Sequence, residues 1–237
     1  DDCIVYRFDD HYMIVVNASN VDKDRDWIEK HAATFNTQVV DRSEDTGLIA
    51  LQGPRAQDIL ARITDANLDG IRYYHFAEGT VADVPAVISR TGYTGEDGFE
   101  LYLGHEQAAS LWEALLSAGR SEGLVPCGLA SRDSLRLEAG MPLYGNELSR
   151  DTNPYEAGLG PVVSLKKEDD FVGRAALERV KEAGPARRLV GLKGLGRRAG
   201  RSHYPVLRER DPNKLVPPLA GALLSLPLAM GAFVLHL

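Results

Sequence analysis

The stretch Thr91 to Leu103, TGYTGEDGFELYL, constrains the fold more than any other part of the chain. Gly92, Gly95 and Gly98 allow positive φ and close backbone approach, which places Thr94, Glu96 and Asp97 on a tight turn. From Phe99 onward the residues alternate: Phe99, Leu101 and Leu103 point one way, Glu100 and Tyr102 the other, because successive side chains of a strand face opposite sides. Glu100 is thereby left opposite the packed face, at the strand's start. A carboxylate fixed there suits a ligand ring with several N–H donors, whereas a phosphate would want N–H groups and cations.

Around this stretch the periodicity predicts an α+β fold of antiparallel sheets with packed helices. Ile4, Tyr6 and Phe8 alternate, Asp9-Asp10-His11 turns the chain and Tyr12 to Val16 returns it, the pattern of a hairpin. Ser19 followed by Asp22 resembles a capping box before a helix from Asp22 to Phe35, with Trp27, Ile28, His31 and Phe35 on its inward stripe and His31 a satisfied interface residue. Gly47 to Gln52 reads as a buried strand, and Gly53-Pro54 opens a helix with Ala56, Ile59, Leu60 and Ile63 inward. Ile71 to Phe76, Gly79 to Val84 and Ala86 to Arg90 read as three strands feeding the glycine turn. Helices follow over Glu106 to Ala118, stopped by Gly119, and over Leu129 to Ala139, closed by Gly140 and Pro142. On the latter, Arg132, Leu135 and Arg136 share a face, and Arg136 and Glu138 are equally readable as surface charges. Val162 to Leu165 reads as a strand and Gly173 to Ala183 as a helix with Leu177 and Val180 inward.

Charge is uneven along the chain. The formal total is −7, but residues 1–185 sum to −14 while Ala186 to Arg210 carries eight Lys/Arg against Glu209 alone. That balance argues against a general nucleic-acid binder; the basic segment is either a docking face for an acidic partner or a solvated surface. Composition also turns glycine-rich there, which puts a domain boundary at Gly184-Pro185, between units of residues 1–185 and 186–237. Cys3 and Cys127 are too few for a disulfide framework or metal site and read as reduced, buried residues. The six histidines form no HxH or HExxH arrangement, so no metal is expected. The chain also lacks a P-loop, a G-x-S-x-G elbow and a Rossmann fingerprint, which weakens hydrolase and NTPase readings.

Gly92 to Glu100, GYTGEDGFE, and Ser131 to Glu147, SRDSLRLEAGMPLYGNE, resemble the aminomethyltransferase (T-protein) family of the glycine cleavage system. Asp1 to Tyr6, Val16 to Asn20 and Ala50 to Pro54 follow in the same order, so the resemblance covers roughly residues 1–207. It implies a folate-binding fold over residues 1–185 whose beginning is missing, then a partial C-terminal β-barrel. The implied activity is transfer of the aminomethyl carbon from the lipoylated H-protein to tetrahydrofolate, releasing ammonia, in the cytoplasm. A related folate-dependent demethylase and a non-catalytic folate-binding assembly protein are the rivals.

Asp2, a plain solvated terminus on its own, maps by this resemblance to the catalytic aspartate; Glu100 and Arg132 map to folate-binding residues. Glutamate can accept N–H donors from an aminopyrimidine edge and arginine offers a planar fork to carbonyl or carboxylate oxygens; the structural alternative is that the two simply pair. Tyr93 and Asn17 are further folate-binding candidates, with strand packing and turn capping as the plain readings. Tyr144 and Asn146 either line the same pocket or close a helix exit, and Arg188 maps to a structural arginine. The segment Leu215 to Leu237 departs from the family pattern. It has no charged residue over 23 positions, long enough to cross a membrane, but Pro217, Pro218 and Pro227 interrupt it, and a shifted reading frame accounts for it better than a membrane helix.

Overall fold

The computed structural model describes residues 2–192 and, beyond them, the backbone of Leu207–Arg208, Asp211–Leu215 and Leu235–His236. Contacts group the chain into two units, Asp1–Met141 with Leu228–Leu237, and Pro142–Pro227, so Gly184-Pro185 lies within the second.

The first unit opens with the expected hairpin. Strand β1 (Ile4–Arg7) pairs antiparallel with β2 (Tyr12–Val15), Ile4 opposite Val15 and Arg7 opposite Tyr12. One face of this ribbon is covered, burying Tyr6, while Val5, Tyr12 and Ile14 on the other stay exposed. Helix α1 (Val21–Ala32) begins without a side-chain cap, so the capping box at Ser19 does not form, and it stops short of Phe35. None of its residues is buried, and Trp27 is 53% exposed: the stripe read as inward has no layer over it. His31 stacks on Trp27 at 4.0 Å between ring centroids and its Nδ1 meets Trp27 O at 2.7 Å.

Next come β3 (Thr46–Gln52), α2 (Ala56–Leu60), β4 (Phe76–Val81), β5 (Val84–Ser89), β6 (Gly98–Gly104) and α3 (Ala108–Gly119). The strands form one antiparallel sheet in the order β4-β5-β6-β3, with the backbone of Leu235–His236 against Gly47 and Leu48. Ile71 to Phe76 is not a strand, because Tyr73 and Tyr74 find no neighbouring strand and stay exposed, Tyr74 takes a φ of 60°, and pairing starts only at Phe76. Of the strand expected over Gly79 to Val84, Gly79 to Val81 are the end of β4 and Val84 opens β5; between them Ala82 and Asp83, both at positive φ, form the two-residue hairpin loop.

The alternation read in β6 holds on both faces. Phe99, Leu101 and Leu103 join Ile49, Leu51, Ile88 and Val81 in the main core, beneath Ile59 and Leu60 of α2 and Leu111 and Leu115 of α3. Each such buried side chain contributes about 1.5–3 kcal/mol. On the other face Tyr102 packs with Leu48 and Tyr6, bordered by Phe8, Phe76 and Val87, so the hairpin covers the side that carries Glu100. Helix α3 contains Gly119, which is glycine because a Cβ would meet Leu124 at 2.6 Å; the chain actually reverses at Gly123, φ 81°. Helix α4 (Leu129–Glu138) ends as expected at Gly140, φ 75°, where Met141 N–H donates to Arg136 O at 2.8 Å and Gly140 N–H to Leu137 O at 3.0 Å, a Schellman closure.

In the second unit α5 (Arg174–Ala183) lies between Gly173 and Gly184, both at positive φ, with no residue fully buried. Val162 to Leu165 is not a strand: Gly160–Val162 forms a 3-10 turn and Val162 is 76% exposed, with no partner strand beside it. Arg187 pairs with Glu156 at 3.2 Å and donates to Asp151 O at 2.6 Å, next to Arg188. The backbones of Leu207–Arg208 and Asp211–Leu215 pair antiparallel. The expected barrel and the apolar tail fall otherwise on residues outside those described. Among the described residues no helix is long and apolar enough to cross a membrane.

Candidate active site

The glycine turn is built around a glutamine. Gln52, the last residue of β3, donates from Nε2 to Thr91 O at 3.1 Å and to Phe99 O at 3.2 Å, spanning both ends of the turn. Its amide fills the space where a Cβ on Gly92 or Gly98 would stand. Of the three glycines only Gly95 has positive φ, 79°, and a Cβ there would meet Ala139 of α4 at 2.8 Å. Two of the glycines thus serve close approach and one serves the turn's conformation. Asp97 is held by Arg90 in a two-pronged pair, Nε to Oδ1 at 2.9 Å and Nη2 to Oδ2 at 2.6 Å; this guanidinium keeps the Asp97 carboxyl below its ordinary range. Arg90 also donates to Leu68 O and Ile71 O, tying the turn to the loop before β4.

A cavity of about 200 Å³ opens in the first unit beside this turn. Leu48 to Gln52 of β3, Trp112, Leu115 and Leu116 of α3, and Ser131, Arg132 and Leu135 of α4 line it, with Tyr93 and Glu100 contributed by the turn and β6. Three of the residues named from the sequence therefore meet in one hollow. Its walls are apolar apart from a few convergent polar groups, as in small-molecule sites, and its volume lies below the ~300–1,000 Å³ of sites that enclose a whole ligand.

The Arg132 guanidinium lies over the Tyr93 ring, 4.4 Å from its centroid, a cation–π contact that fixes the plane of the fork. Burial pulls its pKa down, while the charges of Tyr93, Glu100 and Asp2 act in the opposite direction. Burial likewise pushes the Glu100 carboxyl above its ordinary range, against donation from Thr91 and the charge of Arg132. Thr91 Oγ1 donates to Glu100 Oε2 at 2.5 Å.

Asp2 and Asn17 come together through the hairpin register. Ile4 faces Val15, and two residues further out Asn17 Nδ2 donates to Asp2 Oδ1 at 2.9 Å. Neither Asp2 nor Asn17 is among the residues that line the cavity. Tyr144 and Asn146 belong to the second unit, where Asn146 N–H donates to Leu143 O at 3.1 Å.

Two readings change. Arg136 is not a surface charge: it is fully buried, donating to Asp133 Oδ1 from Nε at 2.8 Å and Nη2 at 2.6 Å and to Met141 O at 3.2 Å. Cys3 and Cys127 are free as expected but exposed, Cys127 because the loop ahead of α4 has no layer over it. Gln52, the pillar of the glycine turn, and Thr91, the partner of Glu100, belong to no motif that marks these roles in the sequence. Among the described residues no group of three or more His, Cys, Asp or Glu comes together to hold a metal.

The profile of the GCVT N-terminal domain family matches residues 1–167. The chain belongs to this family. It is 56% identical over 211 residues to "Aminomethyltransferase" of Streptomyces coelicolor, covering 87% of this chain and 57% of that protein. It is 52% identical over 213 residues to the protein of the same name from Symbiobacterium thermophilum, with the same coverage. The solved glycine cleavage system aminomethyltransferase T from Bartonella henselae superposes with a TM-score of 0.70 at 37% identity, over 79% of this chain and 50% of that one. The mixed helical and antiparallel architecture is thus the T-protein fold, and the chain spans about 57% of the length of its curated relatives.

Proposed function

We propose that the cavity binds the pterin end of tetrahydrofolate and that the protein takes part in aminomethyl transfer: the aminomethyl carbon of the lipoylated H-protein passes to tetrahydrofolate, ammonia leaves, and 5,10-methylenetetrahydrofolate forms. The observation that carries this reading is the convergence of Glu100, Arg132 and Tyr93 on one apolar hollow. Family membership and the curated relatives' printed names support the choice of reaction.

Each residue then has a physical task. Glu100, as a carboxylate, accepts N–H donors of the amino-pyrimidine edge. Arg132, held flat on Tyr93, presents its fork to carbonyl or carboxylate oxygens. The walls from Leu48, Trp112 and Leu135 exclude water and cover the ring faces. Asp2, oriented by Asn17, places negative charge where positive charge develops during transfer, an electrostatic and positioning role. Tetrahydrofolate, when bound, supplies the nitrogen nucleophiles that accept the carbon. The basic stretch after Ala186 suits docking of an acidic carrier.

The test is titration of the 237-residue chain with tetrahydrofolate, followed by tryptophan fluorescence because Trp112 lines the cavity. Glu100→Ala and Arg132→Ala are each expected to weaken binding roughly tenfold or more, as loss of a hydrogen bond to a charged group does. Wild-type affinity in both variants would place the folate elsewhere.

A further inference from the structure

Four hydroxyl groups meet in the interior beside Glu100: those of Tyr6, Ser89, Thr91 and Tyr102, each at most 4% exposed. Tyr6 Oη donates to Ser89 Oγ at 3.0 Å, Ser89 Oγ lies 2.9 Å from Thr91 Oγ1, and Thr91 donates to Glu100 Oε2. A hydroxyl has one proton to give. Because that of Thr91 goes to Glu100, Ser89 donates to Thr91, and Ser89 in turn receives from Tyr6. The order of donation therefore runs one way, Tyr6 to Ser89 to Thr91 to the carboxylate. Tyr102 Oη lies 3.0 Å from that of Tyr6 and, because the Tyr6 proton goes to Ser89, donates to Tyr6 at the head of the row.

The strand pairing explains the meeting. Ser89 sits directly opposite Glu100 in the ladder between β5 and β6, and Tyr102 follows Glu100 on the same face. Tyr6 enters from β1, whose hairpin register also sets Asp2 against Asn17. Tyr6 is further fixed by edge-on packing against Phe76 and Tyr102, at 5.3 and 5.5 Å between centroids.

We propose that this chain of hydroxyls is a positioning relay that keeps Glu100 ionised in one orientation and ties it to the hairpin bearing Asp2. Its consequence for folate binding rests on the function proposed above; the relay itself does not. The charged and titratable groups around Glu100 are Arg132 from α4, Tyr102 on β6, Tyr6 from β1 and Tyr73 from the loop before β4, while Asp2 and Arg136 act on Arg132. Thr91 is the largest influence opposing the burial that raises the Glu100 pKa.

Titration of the Glu100 side-chain carboxyl is followed by carbon NMR in the 237-residue chain, the resonance being assigned by its loss in Glu100→Gln. Thr91→Val is expected to move the midpoint upward, Thr91→Ser to restore it, and Tyr6→Phe, which keeps the packed ring, to move it upward by less. In parallel the tetrahydrofolate dissociation constant of Thr91→Val is expected to rise roughly tenfold at neutral pH, and less as pH increases. A midpoint unmoved in Thr91→Val, with only the melting temperature lowered, overturns the relay and leaves a structural hydrogen bond. If Thr91→Val does not fold, an unmoved midpoint in Tyr6→Phe overturns it equally. Midpoints that shift as expected in a chain that does not bind tetrahydrofolate sustain the relay and refute the folate reading.

Discussion

Helix α4 carries Arg132 into the cavity, and its seat depends on a buried ion pair that can be weighed. Arg136 is fully buried, and the side chain of its partner Asp133 is 12% exposed, one turn away on the same helix. Taking two charges out of water costs several kcal/mol per ion, so the pair as a whole adds little net stability, but removing one member of such a pair typically costs about 3–5 kcal/mol. Asp133→Ala removes the two bonds that Nε and Nη2 donate to Oδ1 and leaves the bond to Met141 O in place. Against a typical total of about 5–15 kcal/mol, this loss is a large fraction of what holds a domain folded. With a urea m-value near 2 kcal/mol per molar, the unfolding midpoint should fall by roughly 2 M, measured by circular dichroism. The double variant Asp133→Leu with Arg136→Met removes both charges and keeps the volume, so it should recover most of that loss. A midpoint drop under about 0.5 M in Asp133→Ala, or a double variant as unstable as the single, would refute the reading that the two charges depend on each other for their burial.

Two smaller perturbations separate stability from binding. Glu100 has its pKa raised on folding, so the native state holds the proton more tightly than the unfolded chain, and the carboxyl favours folding below its unfolded pKa and loses that contribution as pH rises through the folded one. Glu100→Gln should therefore melt higher than wild type at neutral pH and converge with it in acid while binding tetrahydrofolate less well; a lower melting point at neutral pH would mean the ionised network is net stabilising. Gly98→Ala forces the Gln52 amide off Thr91 O and Phe99 O, and is expected to cost about 1–3 kcal/mol by calorimetry, the range for unpaired buried polar groups. An unchanged melting temperature would show that the glutamine has another place to go.

Period-two alternation made β6 readable because only one strand register puts Phe99, Leu101 and Leu103 together, and the same logic gave the hairpin. The errors arose where a local pattern had no layer to complete it. Trp27 and His31 are at helical spacing on α1, yet nothing described covers that face. Tyr73 and Tyr74 suit strands by residue type, but backbone bonds from Tyr74 N–H to Arg90 O and from His75 N–H to Arg72 O fold them into a loop. Arg136 could not be placed by spacing alone, since helical periodicity gives the angle around the axis and not what packs against it. Within the site, Glu100, Arg132 and Tyr93 came from the family resemblance, whereas Gln52 and the hydroxyls of Tyr6 and Ser89 carry no motif: each is meaningful only through a partner about 40 to 90 positions away.

These separations explain how one sheet can serve both stability and chemistry. Its first face is uniformly apolar and packs under α2 and α3, so register errors there would bury Glu100 and Tyr102 among Ile59, Leu60 and Leu111 with no donors to meet them. Its second face is polar near the glycine turn and apolar toward Leu48 and Val87, and the hairpin seals it with a tyrosine whose hydroxyl continues the polar row. The register that satisfies the core is thus the one that sets Ser89 opposite Glu100, and a single one-residue slip of β6 would undo packing and site together.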